Sequence, residues 1–149
     1  MISKIERNEA SPTATILGRL SGAFGLTLST LMARAECAVG RIARAAEQPR
    51  WQDPETGYLR LSVSPSGSKV IELVRSVLPP GAKLTYPAAA YTFIDQQILV
   101  LKGCLTFTEG AAVHKLQEGD CLELGPPSDC AFENRTRSSC EYLVAIARR

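Results

Sequence analysis

One feature limits what this chain can fold into more than any other: the hydrophobic period changes at Gly57. Before it, apolar residues recur at helical spacing. After it they alternate, in short runs separated by turn residues. Leu59, Leu61 and Val63 alternate with Arg60 and Ser62. Further strand-like runs occupy Val70 to Leu78, Lys83 to Tyr86, Ile98 to Leu101, Leu105 to Thr108, Val113 to Leu116, Cys121 to Leu124 and Tyr142 to Ala147. Ser64-Pro65-Ser66-Gly67, Pro79-Pro80-Gly81, Lys102-Gly103, Glu109-Gly110, Glu118-Gly119-Asp120 and Gly125-Pro126-Pro127 punctuate them, at the spacing of an antiparallel sandwich or barrel without intervening helices.

The front of the chain reads as helix. Thr13 to Phe24 sets Ile16, Leu17, Leu20 and Phe24 on one face, with Ser11-Pro12 as the start signal and Gly25 as the stop. Thr27 then caps a second helix in which Leu28, Leu31, Met32 and Ala35 form an apolar stripe. Glu36 to Thr56 turns Ala- and Arg-rich and then polar, a linker with a helical first half. Trp51 stands out in it as a side chain expected to dock on the β domain. The predicted organisation is therefore residues 1–36 helical, 37–56 linker and 57–149 barrel.

At 149 residues the chain has room for one barrel and a small helical appendage, not for two full-sized domains. Residues 1–50 carry seven Lys/Arg against four Asp/Glu, while residues 51–149 carry ten against eleven, so the basic excess is mild and lies in front. The five cysteines, Cys37, Cys104, Cys121, Cys130 and Cys140, are odd in number and show no C-x-x-C spacing. Neither a disulfide framework nor a thiolate zinc site is indicated, and reduced thiols in a cytoplasmic protein are expected. No apolar run is long enough to span a bilayer, and no signal peptide is read at Met1.

Within the barrel segment, Gly81, Gly103, Gly119 and Asn134, with the phrases Ile98-Leu99-Val100-Leu101-Lys102-Gly103-Cys104-Leu105-Thr106-Phe107 and Leu116-Gln117-Glu118-Gly119-Asp120, resemble the cupin family. The family's motifs are G-x5-H-x-H-x3,4-E-x6-G and G-x5-P-x-G-x2-H-x3-N. Gly81 and Gly103 are set at the ends of the first, with two to three residues more between them than its spacing, and Gly119 and Asn134 fit those of the second. The resemblance implies a mainly β protein, an antiparallel jelly-roll barrel. In the family, two His and a Glu from the first motif and a His from the second bind a metal inside the barrel. Those positions read here Pro87, Ala89, Gln96 and Cys130, which make a poor ligand set, so neither metal nor cofactor is expected. His114, the only histidine, falls away from the motif and reads as solvent-facing or structurally bonded. Cys130 reads as a packed thiol.

A second resemblance precedes it. Ile2-Ser3-Lys4-Ile5-Glu6-Arg7-Asn8-Glu9-Ala10-Ser11-Pro12-Thr13, followed by Leu17-Gly18-Arg19-Leu20 and Gly25-Leu26-Thr27-Leu28-Ser29-Thr30-Leu31, is similar to the second half of the helix-turn-helix domain of the XRE (Cro/CI) class. In this alignment the family's first two helices would precede Met1, so Met1 is read as an internal methionine of a longer regulator. The residues that reach base edges are then missing, and Ser3, Lys4 and Arg7 are left to make weak phosphate contacts.

Together the resemblances imply a transcriptional regulator with a metal-free, non-catalytic barrel that binds a small effector, mediates dimerisation, or both. Its partners would be DNA, the effector and a second copy of the chain. Tyr86, Gln96, Phe107, Cys130, Phe132 and Asn134 are the pocket candidates, and no catalytic residue is assigned. The alternatives are a small cupin-type enzyme, an isomerase or dioxygenase, and a short form that only pairs with a full-length regulator.

Overall fold

The computed structural model describes residues 11–28, 41–65 and 70–149. Ser3, Lys4 and Arg7, the apolar positions Ile2, Ile5, Leu31, Met32 and Ala35, and Cys37 lie outside the described residues.

The strands are β1 (Arg50–Gln52), β2 (Leu59–Ser62), β3 (Ile71–Leu78), β4 (Lys83–Tyr86), β5 (Ile94–Lys102), β6 (Cys104–Glu109), β7 (Ala112–Gln117), β8 (Cys121–Glu123), β9 (Cys130–Glu133) and β10 (Cys140–Arg148). Among the described residues they form two antiparallel sheets, β1-β2-β3-β10-β5-β8 and β4-β9-β6-β7. The core lies between the sheets because alternate side chains of each strand point inward. On β3 the inward set is Glu72, Val74, Ser76 and Leu78; on β10 it is Cys140, Tyr142, Val144 and Ile146. Leu84, Leu105, Phe107 and Phe132 answer from the other sheet. Phe132 stacks on Tyr142 at 5.6 Å and meets Phe107 edge-on at 4.8 Å, which joins the two inner faces by aromatic contact.

Two strands carry no sequence signal of their own. β9 reads Cys-Ala-Phe-Glu, without a β-branched residue, and is extended because β4 and β6 pair with it on both sides. β1 is a three-residue strand held by β2. The sheet therefore begins at Arg50, inside the segment read as linker. Among the described residues, helix in that segment is confined to a 3-10 turn at Ala45–Glu47. Trp51 packs on the core cluster, as expected.

Helix α1 (Ala14–Ala23) starts at Thr13, whose hydroxyl accepts from the Ile16 amide. It stops at Gly25, where a φ of 60° lets the Leu26 amide reach back to the Ser21 carbonyl. The buried face differs from the expected one. Ala14, Leu17, Gly18 and Ser21 turn inward, Ile16 and Leu20 are only half-buried, and Phe24 is 65% exposed. Small residues win because the helix lies close against the barrel, above Tyr86 and a 3-10 turn (Ala88–Tyr91). A Cβ at Gly22 would stand 3.1 Å from the Ala89 and Ala90 backbone.

Two buried carboxylates tie this helical segment down. Asp53 accepts from the first amide of α1, Ala14, at 3.1 Å, and its other oxygen holds the Thr56 amide and hydroxyl. Beyond α1, the Thr27 hydroxyl donates to both oxygens of Glu72 on β3, at 3.0 and 2.8 Å. Arg148 at the end of β10 pairs with the same carboxylate.

Candidate functional site

The inner face of the larger sheet is not uniformly apolar. Its register sets Glu72, Ile146 and Gln96 in one cross-strand row, Val74, Val144 and Ile98 in the next, and Arg60, Ser76 and Tyr142 in a third. Polar residues thus enter the barrel from β2, β3 and β5. Arg60, in a strand whose sequence alternation favoured Leu59 and Leu61 for the interior, points inward and is 7% exposed. The adjoining hydroxyls satisfy one another: Tyr58 Oη lies 2.9 Å from Ser76 Oγ, and Tyr142 bonds to the same serine.

At this end of the barrel lies a cavity of about 70 Å³. Its barrel wall includes Tyr58, Arg60, Tyr86, Tyr91, Ile94 and Gln96, with Phe132, Tyr142, Val144 and Ile146 behind them. Gly18, Ser21, Thr27 and Leu28 of the helical segment complete the wall from the outside. A second cleft of about 100 Å³ lies beside it, bordered by Phe93, Arg148 and Arg149. The two arginines there are occupied by Glu72 and Asp95.

Three of the residues singled out from the sequence, Tyr86, Gln96 and Phe132, line the cavity. Three do not. Phe107 is fully buried in the core, with His114 stacked over it at 6.4 Å. Asn134, fully buried, donates to the Leu78 and Ser138 carbonyls and accepts from Thr136, so it fastens the turn after β9. Cys130 is buried, donating to the Ser128 carbonyl and bonded to Tyr91. Arg60 and Tyr58 escaped notice because the turn side of a strand gives no sign of which alternate face is inner. The contribution of α1 had no sequence signal at all.

Desolvation, reinforced by neighbouring Tyr58, pushes the Tyr86 phenol well above its usual range, with Arg60 opposing. Its hydroxyl therefore stays protonated and can donate. Burial also pushes the Cys130 thiol up to about 11, against the Tyr91 hydrogen bond, and the Cys140 thiol likewise to about 11. At pH 8 about one molecule in a thousand carries either thiolate. A disulfide reagent at pH 8 is expected to modify exposed Cys121 in the fast phase and to leave Cys130 and Cys140 to a slow phase that follows unfolding. Fast labelling of Cys130 in folded protein would contradict this.

The residues that the motif resemblance sets at the metal positions of cupins make a poor ligand set. Pro87 and Ala89 have no side-chain donor atom, Gln96 offers a neutral amide, and Cys130 is a lone thiol bonded to Tyr91. Among the described residues, no three His, Cys, Asp or Glu side chains converge.

No family model matches the sequence, and no curated protein does. Solved structures do resemble it. A HTH_3 family transcriptional regulator from Vibrio cholerae superposes with a TM-score of 0.79 at 18% identity, over 100% of this chain and 79% of that one. An RmlC-like cupin from Shewanella frigidimarina gives 0.59 at 13% identity, over 74% of this chain and 92% of that one. A sugar phosphate isomerase of the cupin superfamily from Silicibacter pomeroyi gives 0.55 at 24% identity, over 73% and 70%. Identities this low speak to architecture, and with the two antiparallel sheets they establish that this chain has the cupin fold, preceded by a helical segment.

Proposed function

We propose that this chain is the sensing part of an XRE-type transcriptional regulator, a non-catalytic homodimer whose barrel binds a small effector and whose helical segment passes the state of the barrel to DNA. The observation that carries this reading is the shared wall: the segment similar to a helix-turn-helix domain supplies Gly18, Ser21, Thr27 and Leu28 to the barrel cavity. A guest in that cavity touches barrel and helix together. It therefore has different contact energy in states where α1 is seated and where it is raised, which is what a population shift requires. The Asp53 and Thr27–Glu72 attachments define the seated state. The superposition with the Vibrio regulator supports the reading, since it spans the helical segment as well as the barrel.

Chromatin immunoprecipitation with an antibody raised against the barrel tests it in the source cells. Discrete genomic peaks near promoters are expected. Recovery of DNA no richer than from cells lacking the protein would defeat the regulator reading.

Among the described residues no helix is long and apolar enough to cross a membrane.

A further inference from the structure

We propose that the outer face of the larger sheet, centred on Leu143 of β10, is the surface on which a second copy of this chain packs. The regulator reading calls for a pair of chains and names no surface for the pairing, so this goes beyond it.

The larger sheet carries its polar and apolar residues the wrong way round for a face in water. In an antiparallel sheet with one face on the core, polar side chains belong on the outside. Here Arg60, Glu72, Ser76 and Gln96 turn inward. Their apolar neighbours turn out. The register sets Leu61, Arg75, Leu143 and Leu99 in one outer row across β2, β3, β10 and β5, with Leu73 and Ala145 side by side in the next. These leucines are partly exposed, and Leu101 at the end of β5 is 38% exposed. β2 shows the reversal most plainly, since Leu-Arg-Leu-Ser folds with the arginine inside and both leucines outside. A strand whose outer face met only water would favour the opposite set.

The smaller sheet of the same barrel follows the ordinary rule. Its outer rows read Lys83, Glu133, Thr106 and Lys115, then Thr85, Ala131, Thr108 and Val113. One side of the barrel is thus made for water, and the other has the contiguous apolar surface of a protein contact.

Size and charge single out a second copy as the occupant. β10 has nine residues, about 30 Å of strand, and β2 to β5 span about 19 Å, which gives roughly 500 Å² of flat sheet. The relief of the side chains brings the accessible area into the range of about 600–1,000 Å² per partner that stable pairs bury. Among the described residues, the ion pairs on this face close within one copy: Arg75 donates to Glu141 at 2.6 Å, and Arg149 to Asp95 at 2.6 Å. A strongly charged partner finds no excess of either sign to match. An identical face meets no repulsion.

Sedimentation velocity of the full chain, from about 1 to 100 µM, tests this. A reversible pair is expected. Leu73→Thr and Leu143→Thr retain strand propensity, and each should weaken pairing at least about tenfold, with the double variant sedimenting as a single copy at about 10 µM. Lys115→Thr, on the smaller sheet, should pair as the natural chain does. Far-UV circular dichroism checks that the strands persist in each variant. Hydroxyl-radical footprinting of the natural chain needs no substitution: oxidation of Leu99 and Leu143 should fall at least about threefold from dilute to concentrated protein, while that of Val113 stays constant. A natural chain that remains a single copy throughout overturns the proposal. So does full-strength pairing in the folded double variant, or oxidation of Leu99 and Leu143 that ignores concentration, either of which puts the contact on another surface. Pairing through this face without chromatin peaks would keep the interface and remove the regulator; peaks from an unpaired chain would do the reverse.

Discussion

Replacing Gly18 with leucine is expected to lift α1 off the barrel as a unit. A side chain at this position runs into the near edge of the Tyr86 ring, which is itself packed edge-on to Phe132. Overpacking of this kind costs about 1–3 kcal/mol. A ten-residue helix has little stability of its own, so the loss falls on docking rather than on the helix interior. Hydrogen exchange checks it. Amides of residues 14–23 should exchange at least tenfold faster than in the natural protein, while those of β3, β5 and β10 keep their protection. If the α1 amides remain as protected as before, the helix is not seated through its small face and the shared cavity wall is wrong.

Asn134→Ala is expected to destabilise the barrel by about 2–4 kcal/mol, read from urea unfolding at unchanged m-value. The side chain is fully buried and uses both ends: Nδ2 donates to Leu78 at 2.9 Å and Ser138 at 2.8 Å, while Oδ1 accepts from the Thr136 amide at 3.0 Å and hydroxyl at 2.7 Å. Alanine takes this donor from the Leu78 carbonyl in the interior, which is worse than losing a bond at the surface. Asn134→Asp should be no milder, because it keeps the acceptor, loses the donor and buries a charge. A loss under 1 kcal/mol would mean that water enters this turn freely. The same measurements separate the two regions, since the first change strikes the helical segment and the second the barrel.

The barrel could be read from the chain because its larger strands are locally consistent. Lys83 to Tyr86 is found where the pattern placed it, and β3, β6 and β7 begin within a residue of the expected starts. Strand ends were harder: β5 starts at Ile94, four residues before its apolar run, because β10 pairs with that stretch through Gln97, Gln96 and Asp95. Polar residues become strand here because a partner supplies the ladder. The face of α1 misled for a different reason. Hydrophobicity ranks Ile16, Leu20 and Phe24 above Ala14, Gly18 and Ser21, yet close approach selects for small size. The candidate site shows the same division. Tyr86, Gln96 and Phe132 could be found from the spacing of the motif glycines, whereas Arg60 depends on which face of β2 is inner. Asn134, at a position that invites a binding role, serves the turn.

The place of β10 in the larger sheet has a consequence for biosynthesis. Val144 pairs with Val74 on one side and Ile98 on the other, so the last strand of the barrel to leave the ribosome is also an interior one. At about 5–20 residues per second, β3 waits roughly 4 to 14 s for a neighbour some 70 residues away. For that time two long strand edges stand open side by side, and the nascent chain is a natural client for a chaperone that covers unpaired backbone. Barrel closure is thus a single late event, completed only when the synthesis of residues 140–148 is done.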